Sequence, residues 1–425
     1  MRSGKIGFLL PSPHEQKLAF RQIQRARHQP LYITRRGLDC IRPGRRLFPV
    51  RTRRDRAAFQ RQSGDAASRH HRRGAAPITQ LPRANVVSGA WYTLYFTKPT
   101  YPEKAADRNG GVDVAIVADI DRAQNTIDAA VFDFRLPSLV DAFARAAQRG
   151  VRVRLVTDYS ANKISAEYTD AIDRLEKAGV QVMRDHRSAL MHNKFAVIDN
   201  QVLWTGSMNF TPNDVYRNNN NMLRLALPEL VANYNARFER LFQNRAENAP
   251  GKQVPNPKIT LTDGVTIENY FSPTGGVQRA ILAKLKAAKK SIRVTAFTFT
   301  DTAMANVLKA QAKANITVQG VFETRNNGAV GAEYDNLKSA GLDILPDGNC
   351  YTLHSKTMVI DDRYVVMGSY NFTASAEKSN DENVLIIDDP QMAKAYRDEF
   401  KRLYAQAQAP QCGDTKTLDL GETEQ

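Results

Sequence analysis

The chain has 425 residues, 42% of them hydrophobic, which is enough for more than one domain and a sizeable core. Its formal net charge of +16 equals the excess in residues 1–90, where 20 Lys and Arg face 4 Asp and Glu. The balanced remainder offers no global electrostatic argument for a nucleic-acid partner, although a local basic groove stays compatible with it. No run of 18 apolar residues occurs, so no transmembrane helix is predicted.

Residues 1–90 are rich in Arg, poor in acids and without periodicity, which predicts a disordered extension. We favour an inert tail or the product of an upstream start codon. A basic arm for nucleic acid or anionic lipid and an organellar targeting segment remain alternatives. The apolar run Ile6–Leu10 is too short for a secretory signal. The compartment stays open: the protein would be exported if another start supplies a signal peptide, and cytoplasmic otherwise.

The rest of the chain repeats one pattern of strands and helices, so we expect an α/β fold of two homologous halves related by a pseudo-twofold axis. The active site would lie at their interface. We expect the halves at residues 91–243 and 259–405, joined by a linker at 244–258 and followed by a flexible tail at 406–425. The matched elements are helices at 114–123 and 277–288, strands at 126–132 and 291–297, helices at 137–148 and 302–313, and strands at 151–158 and 316–323.

Each half also carries the pattern H-x-K-x4-D-x6-G-S-x-N-F-T. One copy begins at His192 and the other at His354, 162 residues later. Because alternate residues of a strand share a face, the His and Lys of each copy should point the same way. An imidazole beside an ammonium suits an anionic, tetrahedral group. Two copies that face each other would supply one imidazole to attack and one to protonate the leaving oxygen, without a metal.

Roles follow for the other motif positions. The Ser hydroxyls and Asn amides can donate to non-bridging phosphate oxygens, whereas Asp199 and Asp361 end their strands in a turn context, which indicates a structural role. We therefore expect catalytic roles for His192, Lys194, His354 and Lys356, and phosphate contacts from Ser207, Asn209, Ser369 and Asn371.

The duplicated motif resembles the signature of the phospholipase D superfamily, over roughly residues 95–404. The resemblance implies two α/β/α sandwich halves and a reaction that needs no cofactor. It also implies an acid downstream of each motif that hydrogen-bonds the motif His. Glu382 keeps this acid, whereas Asn220 replaces it in the first copy.

This difference suggests how the two histidines divide their work. A carboxylate raises the pKa of a histidine, whereas an amide orients the ring without stabilising its charge. We therefore assign His192 as the nucleophile and His354, supported by Glu382, as the general acid. Alternatively, the run of Asn at 218–221 is only a polar loop.

The resemblance favours a phospholipase D-type hydrolase of phospholipids, with an endonuclease on DNA or RNA as the close alternative. An inactive phosphate-binding scaffold is a remote alternative, because both motifs are intact. We expect a monomer with two intramolecular halves and peripheral membrane contact.

The three cysteines, Cys40, Cys350 and Cys412, have no metal-like spacing. We expect Cys350 and Cys412 to be free thiols, with a disulfide as the alternative if the protein is exported.

Overall fold

Each copy of the repeat builds an eight-stranded mixed sheet in the computed structural model, which describes residues 78–243 and 254–412. The first sheet has the order β1-β2-β8-β7-β6-β3-β4-β5. Its strands are β1 Ala84–Ser88, β2 Tyr92–Thr97, β3 Thr126–Val131, β4 Arg152–Asp158, β5 Gln181–Asp185, β6 Lys194–Ile198, β7 Val202–Gly206 and β8 Asn221–Leu225.

The second sheet repeats this arrangement with the order β13-β12-β11-β14-β15-β16-β10-β9. Its strands are β9 Lys258–Thr260, β10 Thr266–Ser272, β11 Ser291–Ala296, β12 Thr317–Phe322, β13 Asp343–Pro346, β14 Thr357–Ile360, β15 Tyr364–Gly368 and β16 Glu382–Asp388. In both sheets the motif strand, β6 or β14, lies in the middle.

Helices connect and cover the strands. They are α1 Val112–Arg122, α2 Pro137–Gln148, α3 Tyr159–Asn162, α4 Ala166–Lys177, α5 Pro212–Tyr216, α6 Pro228–Phe242, α7 Val277–Ala287, α8 Thr302–Lys313, α9 Tyr334–Ser339, α10 Ala374–Lys378 and α11 Pro390–Gln408. Short 3-10 turns occupy Ala105–Asp107 and Thr324–Asn326.

The expected α/β fold of two homologous halves is confirmed. The parallel strands β3, β4 and β5 are joined by crossover helices, and their counterparts in the second half pair in the same way. All residues of β6 and β14 are buried. Strands that helices cover on both faces carry continuous apolar runs for this reason. Gly150 and Asn315 end α2 and α8 with φ of 90° and 61°, the left-handed conformation that stops a helix.

Some domain boundaries expected from the sequence fall beside or inside helices and strands of the structure. Strand β1 starts at Ala84, inside the segment expected to be an extension, and pairs with β2. Helix α11 runs to Gln408, inside the expected tail. Residues 1–77, the linker part 244–253 and residues 413–425 lie outside the described residues.

An apolar cluster joins the two halves. It contains Leu203 and Leu223 from the first sheet with Met367 and Leu385 from the second, and side chains of α6 and α11. Two isolated bridges also cross between halves, Met191 with Asp381 and Asn219 with Leu353. These crossings involve the residues just before each motif histidine, so the interface and the motifs coincide.

A disulfide joins Cys350 to Cys412, with Cα atoms 5.5 Å apart, so the expectation of two free thiols is wrong. The pairing arises because α11 carries the chain back to the loop that precedes His354. The two cysteines lie 62 positions apart in sequence, a separation that carries no pairing signal. Within the described ranges, no helix is long and apolar enough to span a bilayer.

Candidate active site

The two motif histidines occupy matched, deeply buried positions. His192 lies two residues before β6, with a relative exposure of 0%, and His354 lies three residues before β14, with 1%. Each imidazole meets the ring of a Phe edge-on, Phe132 for His192 and Phe297 for His354, with centroids 5.2 and 4.9 Å apart. Each Phe directly follows a central strand, β3 or β11, so the sheets fix both histidines in equivalent pockets.

The two motif lysines lie on the same side as their histidines. Lys194 Nζ is 5.0 Å from the centroid of Phe132, and Lys356 Nζ is 4.6 Å from that of Phe297. Each ammonium also donates to the carbonyl of the motif His, at 3.1 and 2.8 Å. Both side chains are almost inaccessible, with residue exposures of 0% and 1%. A buried ammonium is costly unless it meets anions or acceptors, so these positions suit a negatively charged substrate group.

The partner of His192 comes from the other half. The backbone N–H of His192 donates to Asp381 O at 2.9 Å, which brings the next residue, Glu382, against the ring. Glu382 Oε2 is 2.7 Å from His192 Nδ1, and both residues are buried. The expectation that Glu382 supports His354 is therefore wrong. The pairing crosses because each motif segment lies beside the chain segment that opens the last strand of the opposite sheet.

His354 has the corresponding arrangement in the other half, but the side chains that contact its ring are different. Its backbone N–H donates to Asn219 O at 3.0 Å, and its Nδ1 is 2.9 Å from Asn220 Oδ1. A second oxygen, Asp214 Oδ1, is 3.0 Å from the same Nδ1. Asp214 belongs to α5 and is buried.

Both rings thus have a carboxylate oxygen within hydrogen-bond distance of Nδ1. The physical distinction that the sequence suggested between the histidines disappears, and the assignment of His192 as nucleophile stays a prediction without its original support. Sequence reasoning missed Asp214. A signal existed: the position that matches Asp214 in the second copy is Ala376, so the copy that lacks an acid at residue 220 has one six residues earlier.

The motif serines hold the partners of the histidines. Ser207 Oγ donates to Asn220 Oδ1 at 2.7 Å, and Ser369 Oγ donates to Glu382 Oε2 at 2.6 Å. A hydroxyl has one proton to give, so this geometry differs from the phosphate contact expected of these serines. Asn209 and Asn371 follow two residues later and are 3% and 8% exposed.

The motif aspartates lie at tight turns. Asp199 and Asp361 have φ of 52° and 57°, a left-handed conformation that Asp tolerates better than most residues. Asp199 accepts from the backbone N–H groups of residues 124–126, and Asp361 accepts from those of residues 289–291. Each carboxylate therefore ties the end of the motif strand to the start of β3 or β11, which supports a structural role.

A charge cluster around the buried Asp381 secures the crossing beside His192. The carboxylate of Asp381 is paired with Arg187 and also accepts from Arg237 Nη2 at 2.6 Å. Arg187 additionally pairs with Asp185. These arginines belong to the first half and Asp381 to the second, so the cluster fixes the backbone that presents Glu382. In the part of the chain that the structure describes, no group of three or more His, Cys, Asp or Glu is placed to hold a metal ion.

Known proteins are similar to this chain in sequence. Residues 116–242 and 281–404, together more than half of the chain, match the family model described as cardiolipin synthase, PLD-like domain. The mitochondrial cardiolipin hydrolase of Xenopus tropicalis is 42% identical over 122 residues, which are 29% of this chain and 57% of that protein. A phospholipase D of Rickettsia typhi is 26% identical over 159 residues, 37% of this chain and 78% of its own length. The chain thus spans little more than half the length of the cardiolipin hydrolase.

The fold has solved counterparts. The phosphatidylserine synthase of Haemophilus influenzae superposes with a TM-score of 0.55, covering 69% of this chain and 84% of its own, at 15% identity. At this identity the likeness concerns the fold alone, and it extends over both halves.

Proposed function

Because this chain belongs to the phospholipase D superfamily, we propose that it hydrolyses a phosphodiester of a phospholipid through a covalent phosphohistidine. The observation that carries the proposal is the pair of buried His–Lys motifs, His192 with Lys194 and His354 with Lys356. Each ring is held at Nδ1 by side chains of the opposite half.

The proposed first step forms a phosphorus–nitrogen bond. With Nδ1 donating to its carboxylate partner, the nucleophilic ring presents the lone pair of Nε2 to phosphorus. The bond from phosphorus to the alcohol oxygen breaks as the second imidazolium gives that oxygen its proton. Lys194 and Lys356 stabilise the negative charge that develops on the non-bridging oxygens.

The second step reverses the proton transfer. The second histidine, now neutral, takes a proton from water as the water oxygen attacks phosphorus, and the phosphorus–nitrogen bond breaks. The products are phosphatidate and the released alcohol, and both rings return to their initial protonation.

Two observations favour a lipid over a nucleic acid. Relatives carry the names cardiolipin hydrolase and phospholipase D. In addition, Ile164 and Val330 are 91% and 102% exposed, the highest exposures among the large exposed hydrophobic residues that the structure describes. Exposed aliphatic side chains next to a site can enter the apolar layer of a membrane, and this supports a lipid substrate in the proposal.

The loops that carry these two residues start beside the histidines. Asp158, at the end of β4, accepts from the N–H of Met191, and Glu323, after β12, accepts from that of Leu353. Asn162 and Asn326 then donate to the carbonyls of Phe132 and Phe297, both at 2.8 Å. Each of these loops, anchored beside a motif histidine, presents one exposed aliphatic side chain, which supports a lipid substrate in this proposal.

Assays of the full chain in EDTA test the function. We expect release of phosphatidate from phosphatidylcholine or cardiolipin vesicles, reduced about 10³-fold or more in His192→Ala and in His354→Ala. His186→Ala is the matched control, since the His186 ring packs at an angle of 52° against Tyr159, outside both motifs. Activity that survives both motif substitutions, or that EDTA abolishes, would contradict the mechanism. Cleavage of single- or double-stranded DNA without lipid turnover would make the protein an endonuclease.

Reactions quenched in an alkaline denaturant identify the nucleophile, because the phosphorus–nitrogen bond survives base and hydrolyses in acid. Peptide mapping of the trapped phosphohistidine should locate it at one motif histidine, and a phosphoryl group on His354 would reverse the assignment made from the sequence.

A further inference from the structure

The two histidines obtain their Nδ1 partners in different ways. Glu382 Oε2 meets His192 directly at 2.7 Å and accepts from Ser369 Oγ at 2.6 Å. Asn220 Oδ1 occupies the matched place beside His354, at 2.9 Å, and accepts from Ser207 Oγ at 2.7 Å. The two oxygens thus have the same neighbours, yet an amide oxygen carries no formal charge.

A carboxylate lies directly behind the amide. Asn220 Nδ2 donates to Asp214 Oδ1 at 2.7 Å, and the same oxygen is 3.0 Å from His354 Nδ1. The other oxygen of Asp214 accepts from Thr211 Oγ1 at 2.9 Å, and Thr211 also caps the N-terminus of α5 by accepting from the N–H of Asp214. The carboxylate is fully buried and held at both oxygens, so its position relative to the ring is fixed.

The second half has no counterpart of this carboxylate. Ala376 stands at the position that matches Asp214, on the matched short helix α10. In that half a single Glu382 provides both the acceptor for the serine and the charge for the histidine. In the first half these two tasks are divided between Asn220 and Asp214.

We propose that Asp214 is the positioning residue of His354 and supplies the negative charge that Asn220 lacks. The Nδ1–H of His354 is shared between Asn220 Oδ1 and Asp214 Oδ1, which keeps Nε2 directed at the substrate. The carboxylate also stabilises the imidazolium that His354 forms during the reaction, an effect that a neutral amide cannot provide. This inference rests on the proposed function, in that His354 is taken as a reacting group.

The two copies supply the design of the test. Asp214→Ala removes the charge, Asp214→Asn keeps the shape and the acceptor for Thr211, and the double variant Asp214→Ala/Asn220→Glu installs in the first half the residues that the second half has at matched positions. The added length of Glu enters the space that the Asp214 side chain leaves, as Glu382 coexists with Ala376.

We expect both single variants to lower kcat on vesicles about 10²-fold with KM within about 3-fold, since orienting carboxylates act on the chemical step rather than on binding. The double variant should recover at least a tenth of wild-type kcat. Asp128→Ala is the control for loss of a buried acid from the same half, since Asp128 on β3 pairs with Arg154, away from α5, and should affect stability but not kcat. Unchanged kcat in Asp214→Asn, or a folded double variant no better than Asp214→Ala, would overturn the proposal.

A proton NMR measurement separates this proposal from the proposed function. A ring N–H that donates to a carboxylate resonates far downfield, and the signal of His354 is identified by its loss in His354→Ala. We expect the signal to vanish or move upfield in Asp214→Ala and to return in the double variant, whatever substrate the protein cleaves. A signal unaffected by Asp214→Ala would overturn the positioning role even if lipid hydrolysis is found. A responsive signal in a protein without hydrolase activity would leave Asp214 in place and refute the function.

Discussion

Lys194 and Lys356 are charged side chains held where water barely reaches them. Burial of an ammonium costs free energy, and each of these ammonium groups donates to a carbonyl and lies near an aromatic ring. Such a placement is poor for stability and favourable for an anionic substrate. The site therefore holds part of its electrostatic stabilisation ready before the substrate arrives.

Replacement of Lys356 by Met should separate these two effects. Met has a similar volume and no charge, so we expect kcat/KM to fall about 10²-fold or more while the free energy of unfolding stays the same or rises by about 1–3 kcal/mol. Urea unfolding and vesicle turnover measure the two quantities. Lys286→Met is the control, because Lys286 is exposed on α7. Retention of full turnover would remove Lys356 from the site.

Asp361 makes a different contribution, to stability. Burial raises its pKa, but the backbone N–H groups of Ser291, Lys289 and Lys290 lower it more, and the net pKa lies below the usual value. A carboxylate with a lowered folded pKa contributes stability above its unfolded pKa of about 4 and loses that contribution as the pH falls through the folded pKa.

Asp361→Asn should therefore destabilise the protein at pH 7 by about 1–2 kcal/mol without changing kcat, since Asn tolerates the left-handed backbone but accepts weaker hydrogen bonds. The difference from wild type should shrink as the pH falls below about 4. Urea titrations at several pH values measure it, with the exposed Asp335→Asn as control. A difference that grows towards acid pH would contradict this account.

At the level of single residues, the sequence identified the two His–Lys pairs because they are repeated with constant spacing. It could not identify their partners, because Nδ1 contacts depend on which chain segments lie side by side. Glu382 is nearer to His354 in sequence but lies against His192 in space. Asp214 has no equivalent in the second copy, so a search for positions where the copies agree passes over it, and only a comparison of where they differ points to it.

At the level of elements, local patterns predicted α2 and α8 to their end residues, Pro137–Gln148 and Thr302–Lys313. Proline or an acid at the start and a left-handed residue after the end mark such helices in the sequence itself. The crossing of residues 219–220 and 380–382 to the opposite half leaves no such mark, because a segment's own periodicity does not specify its lateral neighbour. The position of the loops with Ile164 and Val330 beside the motif histidines was not predicted either, because it also depends on which segments become neighbours.

Those loops carry a prediction of their own. The double variant Ile164→Ser/Val330→Ser should bind anionic vesicles and hydrolyse their lipid at least about 10-fold less well, because each side chain loses about 2 kcal/mol of transfer free energy. Its turnover of a soluble phosphodiester should stay unchanged. Val114→Ser, an exposed aliphatic position on α1, is the control. Equal loss on the soluble diester would show damage to the site instead of lost membrane contact.

At the level of the whole molecule, each half completes the site of the other. An apolar cluster and the charge cluster around Asp381 hold the halves together within the described part of the chain. Since both halves belong to one chain, we predict that a single molecule contains one complete site.

A mixture of the His192→Ala and His354→Ala proteins tests this prediction. Each molecule lacks one histidine, so the mixture should stay as inactive as either variant alone, even after joint unfolding and refolding. The measurement is vesicle turnover, and wild type refolded in the same way is the control. Recovery of a substantial fraction of wild-type activity would show that halves of different chains pair, and that the working unit is an assembly.

The division of one task between Asn220 and Asp214 has a consequence for how such a protein can change over time. In an assembly of identical chains, any substitution beside one histidine also appears beside the other, so a weakened partner would damage both at once. Two fused copies are inherited together but mutate separately. One histidine can keep its original support while the surroundings of the other are rebuilt, and the present difference between residues 214 and 376 records that freedom.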